Sequence, residues 1–201
     1  MQPVLPLVLA STSRYRRDLL SRLRMPFDVV APEVDETPQP GEAPLELALR
    51  LALAKAHAVS RLRPDAVVIG SDQVADLGGL ALGKPGTHAI AQQQLRQLSG
   101  RQAIFETAVA VVHANSGFAQ TLAASVKVRF RSLTEVEIDH YLQVDEPYDC
   151  AGSARCETLG IALLESIDSD DPTALVGLPL IRTCRLLRAA GIDPLARTLS
   201  T

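Results

Sequence analysis

Apolar positions along the chain fall into short continuous runs and longer periodic ones. Leu7–Ala10 is a continuous run that enters Ser11-Thr12-Ser13, and it predicts a buried strand. Tyr15, Leu19, Leu20 and Leu23 follow at i, i+4, i+5 and i+8, which is one face of a helix capped by Ser13 or Ser11. Phe27–Ala31 reads as a second strand, and Pro38, Pro40 and Gly41 mark a loop. From about Pro44 to Arg61 the chain is rich in helix formers with no internal glycine, which predicts a long helix carrying Lys55. Ala66–Gly70 predicts a central strand that delivers Ser71-Asp72-Gln73 at its C-terminal end.

Gly78-Gly79 reads as a hairpin turn whose returning arm reaches Gly83-Lys84-Pro85. A helix is expected from about Thr87 to Leu98. Two long β segments follow, Ala103–Val112 and Phe118–Phe130, joined at Asn115-Ser116-Gly117. In the second, Val126, Val128 and Phe130 alternate with Lys127, Arg129 and Arg131, so one face is expected to be buried. Thr134 and Glu137 form a capping-box signal for a helix over Thr134–Gln143. A polar stretch over 146–160 leads to an expected strand at Ile161–Ile167. A last helix is expected over Leu178–Ala190, with Pro179 near its first position, and a tail from about residue 195. Strands and helices alternate early and a β ribbon is inserted in the middle, which predicts an α/β fold with a mixed sheet.

The chain has 201 residues, enough for one large domain or two small lobes around a real core. Apolar residues make up 47% and charged residues 21%, the balance of an ordinary globular protein. A net charge of -3 with 3% aromatics argues against a broad nucleic-acid surface. No apolar run reaches the length of a membrane span, and no basic segment precedes an apolar one at the N-terminus. Cys150, Cys156 and Cys184 show no zinc-type spacing, so the expected setting is reducing and cytoplasmic.

Arg14, Arg16 and Arg17 stand in the first turn of the first helix, where the helix dipole disfavours cations. Either they form a solvated basic face, or an anion compensates them. The hydroxyls of Ser11, Thr12 and Ser13 and free helix N–H groups, beside two or three of these guanidiniums, suit phosphate. Glu33, Glu36 and Asp72 are placed at strand or loop ends, where ligands bind in open α/β sheets. Carboxylates with substrate phosphates are what magnesium prefers, and Lys55 and Lys84 could neutralise a polyphosphate. Singly, Asp72 reads first as a turn or cap residue and Lys55 as a solvated helix charge. Together they suit metal-assisted phosphoanhydride hydrolysis.

The ordered set LASTSRYRRDLL, APEVDE, LALAKA, IGSDQV, GKP and CAGS…E…G resembles the Maf family of nucleoside triphosphate pyrophosphatases over nearly the whole chain. Tyr15, Gln73, Cys150 before Ala-Gly-Ser, and Glu157 make it most similar to the branch that cleaves 7-methyl-GTP. The resemblance implies a single domain over 1–201, a two-lobed Maf/inosine-triphosphatase-like fold. A central mixed, elongated sheet would be flanked by helices, with a cleft between the lobes. It implies cleavage between the α and β phosphates, giving a nucleoside monophosphate and pyrophosphate, with a divalent cation such as Mg2+ or Mn2+. Asp72 matches the proton acceptor, and Ser11, Arg16, Glu36, Lys55 and Lys84 match phosphate- or metal-handling positions, with Glu36 and Asp72 the candidate metal ligands. Tyr15, Gln73 and Glu157 match positions that set base specificity.

A 7-methylguanine ring is positively charged, so an aromatic face can stack on it, and a carboxylate can accept from its N1–H and 2-amino group. Tyr15 also reads as the first core residue of its helix face. The chain departs from the family at Arg14 (commonly proline), at Ala108 (commonly glycine) and at Tyr15 (more usually tryptophan in this branch). Other readings are the same hydrolysis on dTTP, UTP or another modified nucleotide, and a non-catalytic nucleotide-binding regulator of cell division. The expected partner is a small-molecule nucleotide, with no membrane or nucleic acid; a homodimer stays open.

Overall fold

Seven strands form one mixed sheet in the computed structural model, which describes residues 5–196. They are β1 (Leu7–Ala10), β2 (Asp28–Val30), β3 (Val67–Leu77), β4 (Leu80–Leu82), β5 (Gln102–His113), β6 (Phe118–Phe130) and β7 (Leu164–Asp168). The order is β2-β1-β3-β5-β6-β7, with β4 paired to β3. The β2, β1 and β3 strands run parallel, and the remaining pairs are antiparallel. Five helices flank the sheet: α1 (Arg14–Ser21), α2 (Pro44–Ser60), α3 (His88–Leu98), α4 (Glu135–Asp145) and α5 (Leu180–Ala189). The expected α/β class and mixed sheet are observed. The tail expected from about residue 195 falls largely outside the described residues.

The period of two sorts the core. Along β1, Leu7 and Leu9 join the cluster under α1 and α5, whereas Val8 and Ala10 join the cluster under α2. A strand buried on both faces has no polar positions, which is why this one reads as a continuous apolar run. A third cluster fills the far end of the sheet, where Phe105, Val126, Val128 and Phe130 pack against Leu95 and Leu98 of α3 and Ile138 and Leu142 of α4. There Lys127 and Arg129 are exposed between buried neighbours, as the alternation predicts.

Three boundaries differ from expectation. The central strand does not stop at Gly70, because β5 pairs with it as far as Asp76 opposite Ile104. Asp72 is therefore a mid-strand residue, not a strand-end one. Its other neighbour does stop: β1 reaches only Gly70, and β4 begins opposite Ala75. Between them Ser71–Val74 has no strand on that side, and this gap places Asp72 at an opening in the sheet. The strand expected at Ile161 begins at Leu164. A short 3-10 turn precedes it, where Asp145 accepts from Thr158 Oγ1 at 2.6 Å and Gly160 N at 3.2 Å. The last helix starts at Leu180, with Pro179 as its cap.

Gly70 sets how closely α2 lies on the sheet. A Cβ there would stand 2.3 Å from the Ala52 carbonyl oxygen and 2.6 Å from the Ala56 nitrogen. With glycine in the strand and alanines on the helix, the backbones approach closely enough for a lysine one position before Ala56 to reach the gap. Among the described residues no helix is long and apolar enough to cross a membrane.

Candidate active site

The gap opens into a cleft of about 660 Å³ whose walls come from both ends of the sheet. That volume suits a nucleotide-sized ligand. The lining includes Ser11, Ser13, Tyr15, Arg16, Glu36, Lys55, Gln73, Lys84 and Glu157. Asp72 lies directly behind it, bonded to Lys55.

At the floor, Lys55 is 5% exposed and its Nζ lies 2.6 Å from Asp72 Oδ1 and 2.7 Å from Glu36 Oε1. Lys55 is thus no solvated helix charge. A buried ammonium needs compensation, and here two carboxylates supply it. Burial works to raise the Glu36 carboxyl, but the Lys55 hydrogen bond, aided by the Lys84 and Arg16 charges, holds it below the ordinary glutamate value. Glu33 is exposed and does not line the cleft.

The phosphate-type features meet at the start of α1. Ser13 caps the helix, accepting from Arg16 N at 3.4 Å, and the buried Ser11 hydroxyl accepts from Ser13 N at 3.1 Å. The Arg14 and Tyr15 amides have no acceptor among the described residues. Arg16 donates through Nε to the Gly177 carbonyl at 2.9 Å, which leaves its terminal nitrogens for a ligand. Burial works against the Arg16 charge and the Asp72 and Glu36 carboxylates support it, with the balance below the ordinary arginine value. Arg17 turns away, toward exposed Asp18 at 3.8 Å. Lys84 is exposed on the far wall. Its loop is docked by Gln94, which donates to the Gly83 carbonyl at 3.1 Å and accepts from Ser153 Oγ at 2.6 Å.

The three expected specificity residues behave differently from one another. Tyr15 is half-buried in the cleft wall, outside the core that Leu19 and Leu20 join, so the core reading fails. Gln73 Nε2 lies 2.9 Å from the Ala174 carbonyl and 3.0 Å from that of Leu175, acceptors that fix the amide orientation. Its Oε1 accepts nothing among the described residues. Glu157 lines the cleft but is exposed, so its carboxylate is desolvated only once a ligand covers it.

Sequence reasoning missed Arg155. Its guanidinium donates to the Asp145 carbonyl at 2.8 Å and to Asp149 Oδ1 at 3.2 Å, and lies 5.5 Å from the Tyr15 ring centroid. A lone basic residue in the polar 146–160 stretch was the only signal. Burial pushes the Cys150 thiol up to about 11 and the Cys156 thiol up to about 12, so both stay protonated at neutral pH and neither is an activated nucleophile.

Glu36 and Asp72 supply hard oxygen donors, and no third His, Cys, Asp or Glu converges on them among the described residues. Two carboxylates do not make a closed metal cage. They fit a magnesium-type ion that takes one or two protein ligands and completes its shell with water and substrate phosphate.

Comparison with known proteins gives one consistent match. The family described as Maf-like protein matches residues 6–190. A "7-methyl-GTP pyrophosphatase" from a Polaromonas species is 67% identical, over 93% of this chain and 85% of its own. The protein of the same name from Albidiferax ferrireducens is 63% identical over 94% and 95%, and that from Bordetella pertussis 58% over 96% and 97%. Among solved structures, a HAM1 protein from Coxiella burnetii is 19% identical with a TM-score of 0.44, covering 63% of this chain and 73% of that one; this likeness is too loose to bear on the site.

Proposed function

The chain belongs to the Maf-like protein family, and from that premise we propose that it hydrolyses 7-methyl-GTP to 7-methyl-GMP and pyrophosphate. The observation that carries the chemistry is the Glu36–Lys55–Asp72 cluster at the sheet gap, beside a helix N-terminus with free amides. The high identity to relatives named for this activity supports the substrate.

In this reading residues 1–201 form one two-lobed domain with the nucleotide between the lobes. Phosphoryl oxygens meet the Arg14 and Tyr15 amides, the Ser11 hydroxyl, the terminal nitrogens of Arg16, and Lys84 from the opposite wall. Ser13 holds the helix start in place. Lys55 ties down Asp72 Oδ1, and Oδ2 takes the proton of a water that attacks the α-phosphorus. Glu36 and Asp72 would hold a divalent cation, which supplies charge neutralisation on the phosphates when bound. Lys84 and Arg16 stabilise the leaving pyrophosphate. The guanine edge donates its N1–H and 2-amino hydrogens to Glu157, and the ring lies against Tyr15. Gln73 holds the 174–177 turn and offers Oε1 as an acceptor. Three free cysteines and a nucleotide substrate support a cytoplasmic setting.

The test is pyrophosphate release by the purified protein with magnesium or manganese, comparing 7-methyl-GTP, GTP, dTTP, UTP and CTP. Preferential cleavage of 7-methyl-GTP is expected. Preferential cleavage of a pyrimidine nucleotide would keep the Asp72 chemistry and discard the base-reading roles. Binding without turnover would favour a regulator.

A further inference from the structure

The Tyr15 ring already has two cations against it, with Arg14 Cζ 4.8 Å and Arg155 Cζ 5.5 Å from its centroid. The two differ in their freedom to leave. Arg14 is exposed, adjacent in sequence, and among the described residues its side chain is held by one 2.7 Å bond to the tyrosine hydroxyl. Arg155 has a side chain only 10% exposed and is anchored to the opposite wall by Asp145 and Asp149. Among the described residues Asp149 is its one ion-pair partner, its Nε is buried with no acceptor, and Glu157 two residues away forms no ion pair.

We propose that Arg155 is a specificity-determining residue that reads the charge of the base, opposing a cationic ring and so limiting the preference for 7-methyl-GTP over GTP. The inference rests on the nucleotide reading above. A base stacked about 4 Å from the Tyr15 ring comes within about 10 Å of a fixed guanidinium that is itself 5.5 Å from the ring centroid. Neutral guanine tolerates that neighbour, because a cation over an aromatic face is attractive. The methylated ring carries its own positive charge and is repelled. Tyr15 and Glu157 select the methylated base against this opposition.

Removing the charge with Arg155→Gln should therefore raise the ratio of kcat/KM for 7-methyl-GTP over GTP by roughly tenfold, the size expected for two unit charges at this separation in a partly wet cleft. Arg155→Lys, which keeps the charge, should leave the ratio within about twofold of the parent. Both are measured in mildly acidic buffer, where the base keeps its N1 proton, with circular dichroism to establish folding. Added salt screens the Glu157 attraction in every variant and the Arg155 repulsion only where that charge is present, so the ratio should rise more, or fall less, with salt in the unaltered protein and in Arg155→Lys than in Arg155→Gln. If Arg155→Gln does not fold, Arg155→Met read in the same two ways decides. A ratio that is unmoved or lowered in the neutral variant, a glutamine-like change in Arg155→Lys, or the same salt response in the parent and the neutral variant overturns the proposal. If the parent cleaves both nucleotides and the ratio does not move, only the role of Arg155 falls. If it cleaves neither, the nucleotide reading itself fails and Arg155 falls with it.

Discussion

Lys55→Met isolates what holds the floor of the cleft together. The lysine side chain is 6% exposed and bonds Asp72 at 2.6 Å, whose own side chain is 10% exposed; the second partner, Glu36, is 54% exposed. Methionine keeps most of the apolar stem, so little packing is lost. The Glu36 half of the cluster faces water and contributes at most about 1 kcal/mol. The Asp72 half does not, because removing one partner of a buried pair strands the other charge, which costs about 3–5 kcal/mol. Taking about 3 kcal/mol as the net loss, a chain of this size should melt about 6–12 °C lower. Urea unfolding should show a lower midpoint with an unchanged m-value. Lys55→Met combined with Asp72→Asn removes the stranded charge and should recover about 2 kcal/mol, a coupling that a double-mutant cycle reads directly. A loss under about 1 kcal/mol for Lys55→Met, or strict additivity in the cycle, would show that Lys55 and Asp72 are not a buried pair.

Asp72→Asn alone should retain the fold and lose roughly a hundredfold or more of its turnover in a pyrophosphate-release assay; near-parental rates at saturating metal would remove Asp72 as proton acceptor. Gly70→Ala places a methyl 2.3 Å from a helix carbonyl and should lower stability by about 2–3 kcal/mol or more in urea, reducing turnover as α2 and Lys55 shift. An unchanged midpoint would mean that α2 is not seated on β3 as described. The Glu36 carboxyl lies below its ordinary value of 4.5 in the folded protein. Its contribution is thus fully present above that value and is lost as pH falls through the lower, folded one. Glu36→Gln should weaken stability near neutrality and flatten the acid limb of a thermal-melt series against pH; parallel limbs in the two proteins would contradict the Lys55–Glu36 bond.

The local parts of this protein were legible in its residues. Ser13 caps α1, Thr134 and Glu137 close a capping box, and the long β5–β6 ribbon keeps the alternation that its sequence shows. Each depends on neighbours a few positions away, so propensity and periodicity suffice. The motif set also located most of the cleft: Ser11, Ser13, Tyr15, Arg16, Glu36, Lys55, Gln73, Lys84 and Glu157 share one opening.

The electrostatic state of these groups was not legible. Lys55 on its helix pattern reads as a surface charge, and only the close seat of α2 on Gly70 buries it against a carboxylate 17 positions away. Asp72 reads as a strand-end residue, because nothing within Ala66–Gly70 says that β5 extends the ladder or that β1 stops. Glu157 reads as an acceptor for the base and is exposed, whereas Arg155, marked in the sequence only as a lone basic residue, is largely buried against a tyrosine from the other end of the chain. Sequence by itself determined most of the elements, the family and most of the side chains that gather at the cleft. Tertiary structure alone decided which of those charges are desolvated and which face one another, since burial and Coulomb interaction depend on distances that the chain sets only once it has folded.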